Sequence, residues 1–242
     1  MALYREQGVV LRTWKLGETD RIVSLLTPGR GKVRAVAKGV RRPGSRFGGR
    51  LEPYSHVDLQ LYEGRELDVV NQAEGITPFA EIRADWVLSA CASAMVEGAD
   101  RIAQEDERSN RLFLLLLEAL RTLQAVPAQP ALVLDAYLFR LAAEAGYAPA
   151  LDQCASCGSP GPHAVFAIGA GGALCRGCAP FDSHPLARET VDLLVALMTA
   201  DWRVLHQLSP EARARRAVGS IVGSYFSHHL GRPLKAWDLV PR

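Results

Sequence analysis

The sequence predicts an α+β multidomain chain: a five-stranded barrel at the N-terminus, then an all-α region with an embedded four-cysteine metal module. Three observations carry that reading. Short segments of alternating apolar and polar residues, punctuated by glycine and proline, fill the chain as far as Pro78. Beyond Pro78 the alternation stops and Ala- and Leu-rich stretches with helical spacing take over. Two Cys-x-x-Cys pairs then fall inside the helical region, separated by seventeen residues.

The strands follow in order. Val9-Val10-Leu11 supplies the first and Ile22 to Leu26 the second. In the third, Lys32, Arg34, Val36 and Lys38 share one face while Val33, Ala35 and Ala37 share the other. Val57, Leu59 and Leu61 alternate with Asp58, Gln60 and Tyr62 in the fourth, and Leu67 to Val70 gives the fifth. Turns at Leu16-Gly17-Glu18, Pro28-Gly29-Arg30-Gly31 and Glu63-Gly64-Arg65 separate them. Five short strands in so few residues suit a small closed barrel, of which the OB-fold is the common five-stranded form. An SH3-like barrel has the same strand count, and periodicity does not separate the two.

The helices come next. Ala80 to Gln104 reads as one helix with small residues spaced for close packing. Ser109 is placed to cap a second through Leu123. A third begins after Pro130, with Leu134, Leu138, Leu141 and Ala145 on one face and Gly146 as its stop. Pro185 opens a helix to Thr199, and Ser209-Pro210 opens a last one to about His229. The domain organisation expected is therefore a barrel domain over 1–78, a helical domain over 79–149 and 184–242, and a metal module over 150–183 inserted in it.

With 242 residues, 48% hydrophobic and 22% charged, the chain has the composition of an ordinary globular protein of two or three units. Its first residues lack the apolar core of a secretory signal, and its longest apolar runs, such as Leu112 to Leu117, are far too short to span a bilayer. A soluble cytoplasmic protein is expected, with no membrane partner. In a reducing compartment paired cysteines read first as metal ligands.

Cys154-Ala-Ser-Cys157 and Cys175-Arg-Gly-Cys178 have the spacing of a four-cysteine zinc site. Two residues between thiolates let a tight turn aim both sulfurs at one ion, and Gly158 and Gly177 offer such turns backbone freedom. Four thiolates complete the tetrahedron of zinc and leave no position for water or substrate. One structural Zn2+ per chain is expected, contributing on the order of 10 kcal/mol to local folding. Two disulfides or four unligated thiols are the alternatives. His163 reads as a loop residue and Cys91 as a buried, inert thiol.

Charge points to a partner. The net charge is only +2, yet the stretch from Arg21 to Arg50 holds nine Lys or Arg and no acid. Residues 1–78 net about +4, from thirteen basic and nine acidic side chains, so the positive charge is a local patch. Such a patch on a strand-patterned region is the footprint expected of a surface that meets a polyanion; a merely solvated face is the alternative. Candidate nucleic-acid contacts are Lys32, Arg34, Lys38, Arg41, Arg42, Arg46 and Arg50, with Phe47 stacking on a base from a flexible glycine-rich loop. Trp14, Tyr54 and Tyr62 are further stacking candidates, with core or barrel-end placement the equal alternative for each, and Arg213, Arg215 and Arg216 could form a second anionic contact. Residues 81–144 net about −4, from six basic and ten acidic side chains, which suits protein partners instead.

Motifs for catalysis are missing. Gly29-Arg30-Gly31-Lys32 lacks the spacing of an ATP-binding loop, and no HExxH, GxSxG or deaminase signature occurs. A non-enzymatic protein without a small-molecule substrate is expected.

The order of these segments resembles the bacterial RecO family of recombination mediators in DNA repair. The resemblance runs from Gly8-Val9-Val10-Leu11 through Gly17-Glu18-Thr19-Asp20-Arg21-Ile22-Val23 and Thr27-Pro28 to Ala37-Lys38-Gly39-Val40-Arg41-Arg42. It continues with Leu51-Glu52-Pro53-Tyr54, Gly146-Tyr147-Ala148-Pro149, both cysteine pairs, and Leu230-Gly231-Arg232-Pro233-Leu234-Lys235. It implies an N-terminal OB-fold, a helical domain and an embedded zinc module. It also implies binding to single- and double-stranded DNA, ATP-independent annealing of complementary strands, contact with the acidic tail of single-stranded DNA-binding protein (SSB), and loading of RecA together with RecR in the RecF pathway. Lys38, Arg41 and Arg42 match the family's basic loop. Nucleoid association in a bacterial cytoplasm follows from the same resemblance. From residues alone, a zinc-stabilised RNA- or ribosome-associated OB protein and a thiol redox sensor stand beside it.

Overall fold

A computed structural model describes residues 2–108, 110–126, 128–183, 185–205 and 207–241. The first five strands are β1 (Leu3–Leu16), β2 (Asp20–Thr27), β3 (Gly31–Ala37), β4 (His56–Tyr62) and β5 (Asp68–Thr77). They close into a barrel in the order β1-β2-β3-β5-β4, with β4 returning to β1. All pairings are antiparallel except β3 with β5, which is parallel and short. A single parallel contact between the third and fifth strands closes a five-stranded Greek-key barrel, which decides for the OB arrangement. The side-chain alternation explains the register: Val33, Ala35 and Ala37 point inward and are buried, while Arg34 and Lys38 are exposed. Inside, Val10, Val23, Leu25, Val57, Leu59 and Leu61 meet them in one cluster.

A second buried row, Val9, Leu11 and Leu26, lies outside that cluster. Helix α2 (Trp86–Ile102) packs on β1, and its Asp100 receives the Ser24 hydroxyl of β2 at 3.3 Å. The small residues of α2, Ala90, Cys91, Ala92, Ala94 and Ala99, are what permit that approach, and Cys91 is buried as expected. The predicted single helix over 80–104 is two: α1 (Ala80–Ala84) ends at Asp85, which is extended and caps α2 through the Val87 and Leu88 amides. Helix α3 (Asn110–Ala125) follows; Ser109, its expected cap, lies outside the described residues.

The chain forms two compact units, 1–124 and 125–242. Composition changes at 78/79, where strands give way to helices, but packing divides later, so α1 to α3 belong with the barrel.

In the second unit α4 (Pro130–Glu144) is buried on nearly every side, not only along the Leu134, Leu138 and Leu141 stripe. A helix apolar all round is a central one; α5 (Arg188–Thr199) and α7 (Ala212–His229) both pack on it, and a short α6 (Trp202–Leu205) lies between them in sequence. Ser209 does not cap α7. Instead the Glu211 amide at its start donates to the Glu189 carboxylate of α5 at 2.8 Å. The cysteine segment contains a two-stranded ribbon, β6 (Val165–Ala167) with β7 (Gly172–Leu174).

Candidate functional site

The basic stretch is built around one barrel corner. Residues 38–55, between β3 and β4, form successive turns in which Arg42, Ser45, Gly48 and Arg50 amides donate to carbonyls three residues back. Val40, Phe47 and Leu51 point from these turns into the barrel interior. The segment is therefore a wound plug, not the flexible loop expected from its glycines. Phe47 is 1% exposed, so the expectation that it stacks on a base is corrected: its ring closes the barrel end. Burial of a large aromatic gains more than exposing it at a polar surface. Arg46 lies over that ring at 5.0 Å, which joins the plug to the cationic surface. Tyr54 takes the core alternative, being buried with its hydroxyl 2.7 Å from the Ser93 hydroxyl of α2. Trp14 and Tyr62 are exposed.

The two most distinctive sequence segments lock together here. The Asp20 carboxylate accepts the Gly39 amide at 2.7 Å and the Thr19 hydroxyl at 2.8 Å. Those two bonds, with Arg42 and Lys38 nearby, hold its carboxyl below the usual range. Gly39 has φ +67, a conformation that glycine adopts without strain. Arg41 donates its amide to the Thr19 carbonyl and its guanidinium to the Gly17 and Glu18 carbonyls. Arg21 pairs with Glu52 at 2.8 Å.

The structure divides the candidate contacts. Lys38, Arg41, Arg42, Arg46 and Arg50 are exposed and form no ion pair among the described residues; the Arg41 and Arg50 guanidinium groups donate to backbone carbonyls and that of Arg46 lies over Phe47. Arg46 and Arg50 border a groove of ≈ 240 Å³ whose other wall is Asn71, Gln72 and Glu74 of β5. Lys32 and Arg34 differ. Lys32 Nζ reaches the Asp100 carbonyl at 2.7 Å and its carboxylate at 3.7 Å, and Arg34 Nε meets Glu105 at 2.7 Å. In the second unit Arg215 is engaged by the fully buried Asp135 of α4 at 2.8 Å, so it serves packing rather than the anionic contact expected of it.

The cysteine pairs converge. The sulfurs of Cys154, Cys157, Cys175 and Cys178 all lie within 4.8 Å of one another, with Cys157 and Cys175 at 3.8 Å. Sulfurs on a tetrahedral zinc are about 3.8 Å apart, given bonds of about 2.3 Å. Backbone amides do much of the aiming. The Cys175 amide points at Cys154 Sγ at 3.4 Å, and with the Cys157 and Ser156 amides lowers the Cys154 thiol to about 6. Cys175 is lowered too, chiefly by the Cys178 amide, whereas Cys178, favoured by the Ser156 hydroxyl, is pushed up to about 12 by the neighbouring sulfurs. Four thiols this close cannot all ionise without a cation between them, and a metal ion supplies one. Gly158 has φ +73, as its turn requires; Gly177 is not left-handed. His163 is not one of the group; its Nε2 lies 3.0 Å from the Ser159 carbonyl.

The module is fastened to its own unit through β7. Ala150 exchanges main-chain hydrogen bonds with Gly171 and Ala173, and a Cβ at Gly172 would fall 2.3 Å from the Ala150 oxygen. From α7, the Tyr225 hydroxyl donates to the Tyr147 and Gly171 carbonyls, its ring meets Phe166, and His229 reaches the Ile168 carbonyl. Sequence reading missed Tyr225 and His229, because their partners lie more than fifty residues away.

With this geometry in place, likeness to known proteins becomes informative. Residues 1–79 match the family model described as Recombination protein O N terminal, and residues 83–238 match Recombination protein O C terminal. Relatives named "DNA repair protein RecO" come from Nocardioides sp., 49% identical over 99% of this chain and 100% of the relative, and from Frankia casuarinae, 47% identical over the whole of both. Another with that name, from Thermobifida fusca, is 46% identical over the whole of both. The chain belongs to the RecO family. The family models divide at 79/83, the end of the barrel. Both of its most distinctive barrel segments, Gly17 to Val23 and Lys38 to Arg42, lie at the corner just described. No helix among the described residues is long and apolar enough to cross a membrane.

Proposed function

We propose that this chain is a DNA-binding recombination mediator in DNA repair that anneals complementary single strands without ATP. The observation that carries the reading is the plug at the barrel corner, which presents Lys38, Arg42, Arg46 and Arg50 as exposed cations without an ion pair among the described residues, Arg46 and Arg50 bordering a groove. In this reading residues 1–78 are the nucleic-acid-binding domain and Arg41 positions the β1–β2 turn as well as adding charge. Annealing needs no nucleotide hydrolysis, because base pairing supplies its own free energy. The protein has only to screen phosphate repulsion and leave bases accessible. Neutralising about five phosphates of a single strand makes affinity fall roughly a hundredfold for a fourfold rise in salt.

The family likeness supports the wider role: binding of double-stranded DNA, contact with single-stranded DNA-binding protein, and loading of RecA with RecR. We read the quartet as a structural Zn2+ site, held by Cys154, Cys157, Cys175 and Cys178, whose ion fixes two turns against β7. The test is annealing of complementary oligonucleotides, bare and protein-coated, without ATP and across a salt series. Arg42→Glu with Arg46→Glu, whose side chains lie outside the core, should keep the fold and cut annealing at least tenfold. A folded double variant that anneals at the original rate overturns the assignment. Binding of RNA without annealing of DNA would favour the RNA-associated role.

A further inference from the structure

The outer face of β3 carries a second basic row, and the protein covers part of it with its own chain. After α2 the segment 103–108 turns back along the β2–β3 end. The Lys32 amide donates to the Gln104 carbonyl at 2.9 Å, Gly31 and Glu105 form an antiparallel bridge, and Glu105 takes the Arg34 guanidinium at 2.7 Å. The approach is close enough to dictate the residue beneath it. A Cβ at Gly31 would lie 2.2 Å from the Glu107 carbonyl oxygen and 2.5 Å from that of Gln104. The segment therefore touches the β3 edge at one bridge and then turns at Asp106, φ +58, and its side chains run Glu105-Asp106-Glu107.

A carboxylate held against a basic strand occupies a guanidinium that a phosphate of a nucleic acid would otherwise take. We propose that residues 104–107 are an acidic strap that withholds Arg34 from single-stranded DNA and so limits affinity. The proposal rests on the DNA-binding reading above. It assigns different parts to two basic side chains that look equivalent in sequence. Lys32, with Asp100, is largely enclosed and belongs to the packing of α2, whereas the Arg34–Glu105 pair is half exposed on both sides and is weakly held. A protein that must let go of an annealed product gains from contacts that are kept out of play.

The probe is a fluorescent thirty-nucleotide oligothymidylate, titrated with the full metal-loaded chain over a salt series. Glu105→Gln should bind it about threefold to tenfold more tightly at low salt. It should also steepen the slope of log affinity against log salt by about 0.7, the increment for one further phosphate on a single strand. Asp106→Asn removes the same charge one residue away and should leave the slope unchanged. Arg34→Ala should cost less than twofold in the native chain but about fivefold in the Glu105→Gln background, because only there is the guanidinium free. Equal tightening and equal slopes for Glu105→Gln and Asp106→Asn would reduce the strap to a diffuse field and overturn it. So would an Arg34→Ala cost identical in both backgrounds. Failure of the unaltered protein to bind at low salt would appear before any variant is compared, and would sink the DNA reading itself.

Discussion

His56 shows how a single side chain can set a condition on the whole first unit. It opens β4, is 3% exposed, packs edge-on against Phe113 of α3, and neither ring nitrogen has a hydrogen-bond partner. Burial, with Arg121 nearby as a lesser cause, pulls its pKa below the ordinary value near 6.5. The folded protein thus keeps the ring neutral where the unfolded chain would already bind a proton. Stability from that neutrality is fully present above pH 6.5 and is lost as pH falls toward the folded value. The loss can reach about 1.4 kcal/mol per pH unit, the limit for one extra proton on the unfolded chain. Denaturant midpoints measured between pH 7.5 and 5 should therefore fall more steeply for the native chain than for His56→Leu, and parallel curves would refute the account. Alternation in β4 places His56 on the polar face with Asp58 and Gln60, so its burial was not legible from the strand. Phe113 and Arg121, which cover it, approach from a helix more than fifty residues away.

The elements were legible wherever a period was long enough to read. β3 alternated over seven residues and both its faces were assigned, and α4 and Gly146 at its end followed from Pro130 and the leucine spacing. The plug was not legible, because 38–55 has no period: its glycines suggested a mobile loop, while Val40, Phe47 and Leu51 were too sparse to announce a core. The acids that cover Lys32 and Arg34 come from α2 and the turn after it, so a run without Asp or Glu in sequence is partly neutralised in space. The cysteine pairs are the opposite case. Local spacing fixed their grouping, and the fold added only the ribbon and Tyr225 that hold them. Cys154 is the buried member of the four. Metal analysis of Cys154→Ser should show the loss of stoichiometric zinc and a loosened α7, seen as faster amide exchange around Tyr225. Full retention of metal would refute the site.

At the scale of the molecule, two compact units and two kinds of stabilisation make separable demands. The first unit has a barrel core sealed by Phe47 and an outer layer sealed by α2, with its candidate contacts all between Lys32 and Arg50. The second holds α4 at its centre and ties the cysteine module to α7 by hydrogen bonds to β7 and its turn. If zinc serves the second unit alone, its removal should leave short-oligonucleotide binding intact. A strong chelator at neutral pH is the direct test. Amide exchange should quicken across 150–183 and in α7 while the barrel strands stay protected, and affinity for a short oligothymidylate should change less than twofold. Any function that depends on the second unit, such as action on protein-coated strands, should be lost in the same sample. A parallel loss of barrel protection and oligonucleotide affinity on chelation would mean that the metal supports the whole chain, and that charge on the barrel cannot be read apart from it.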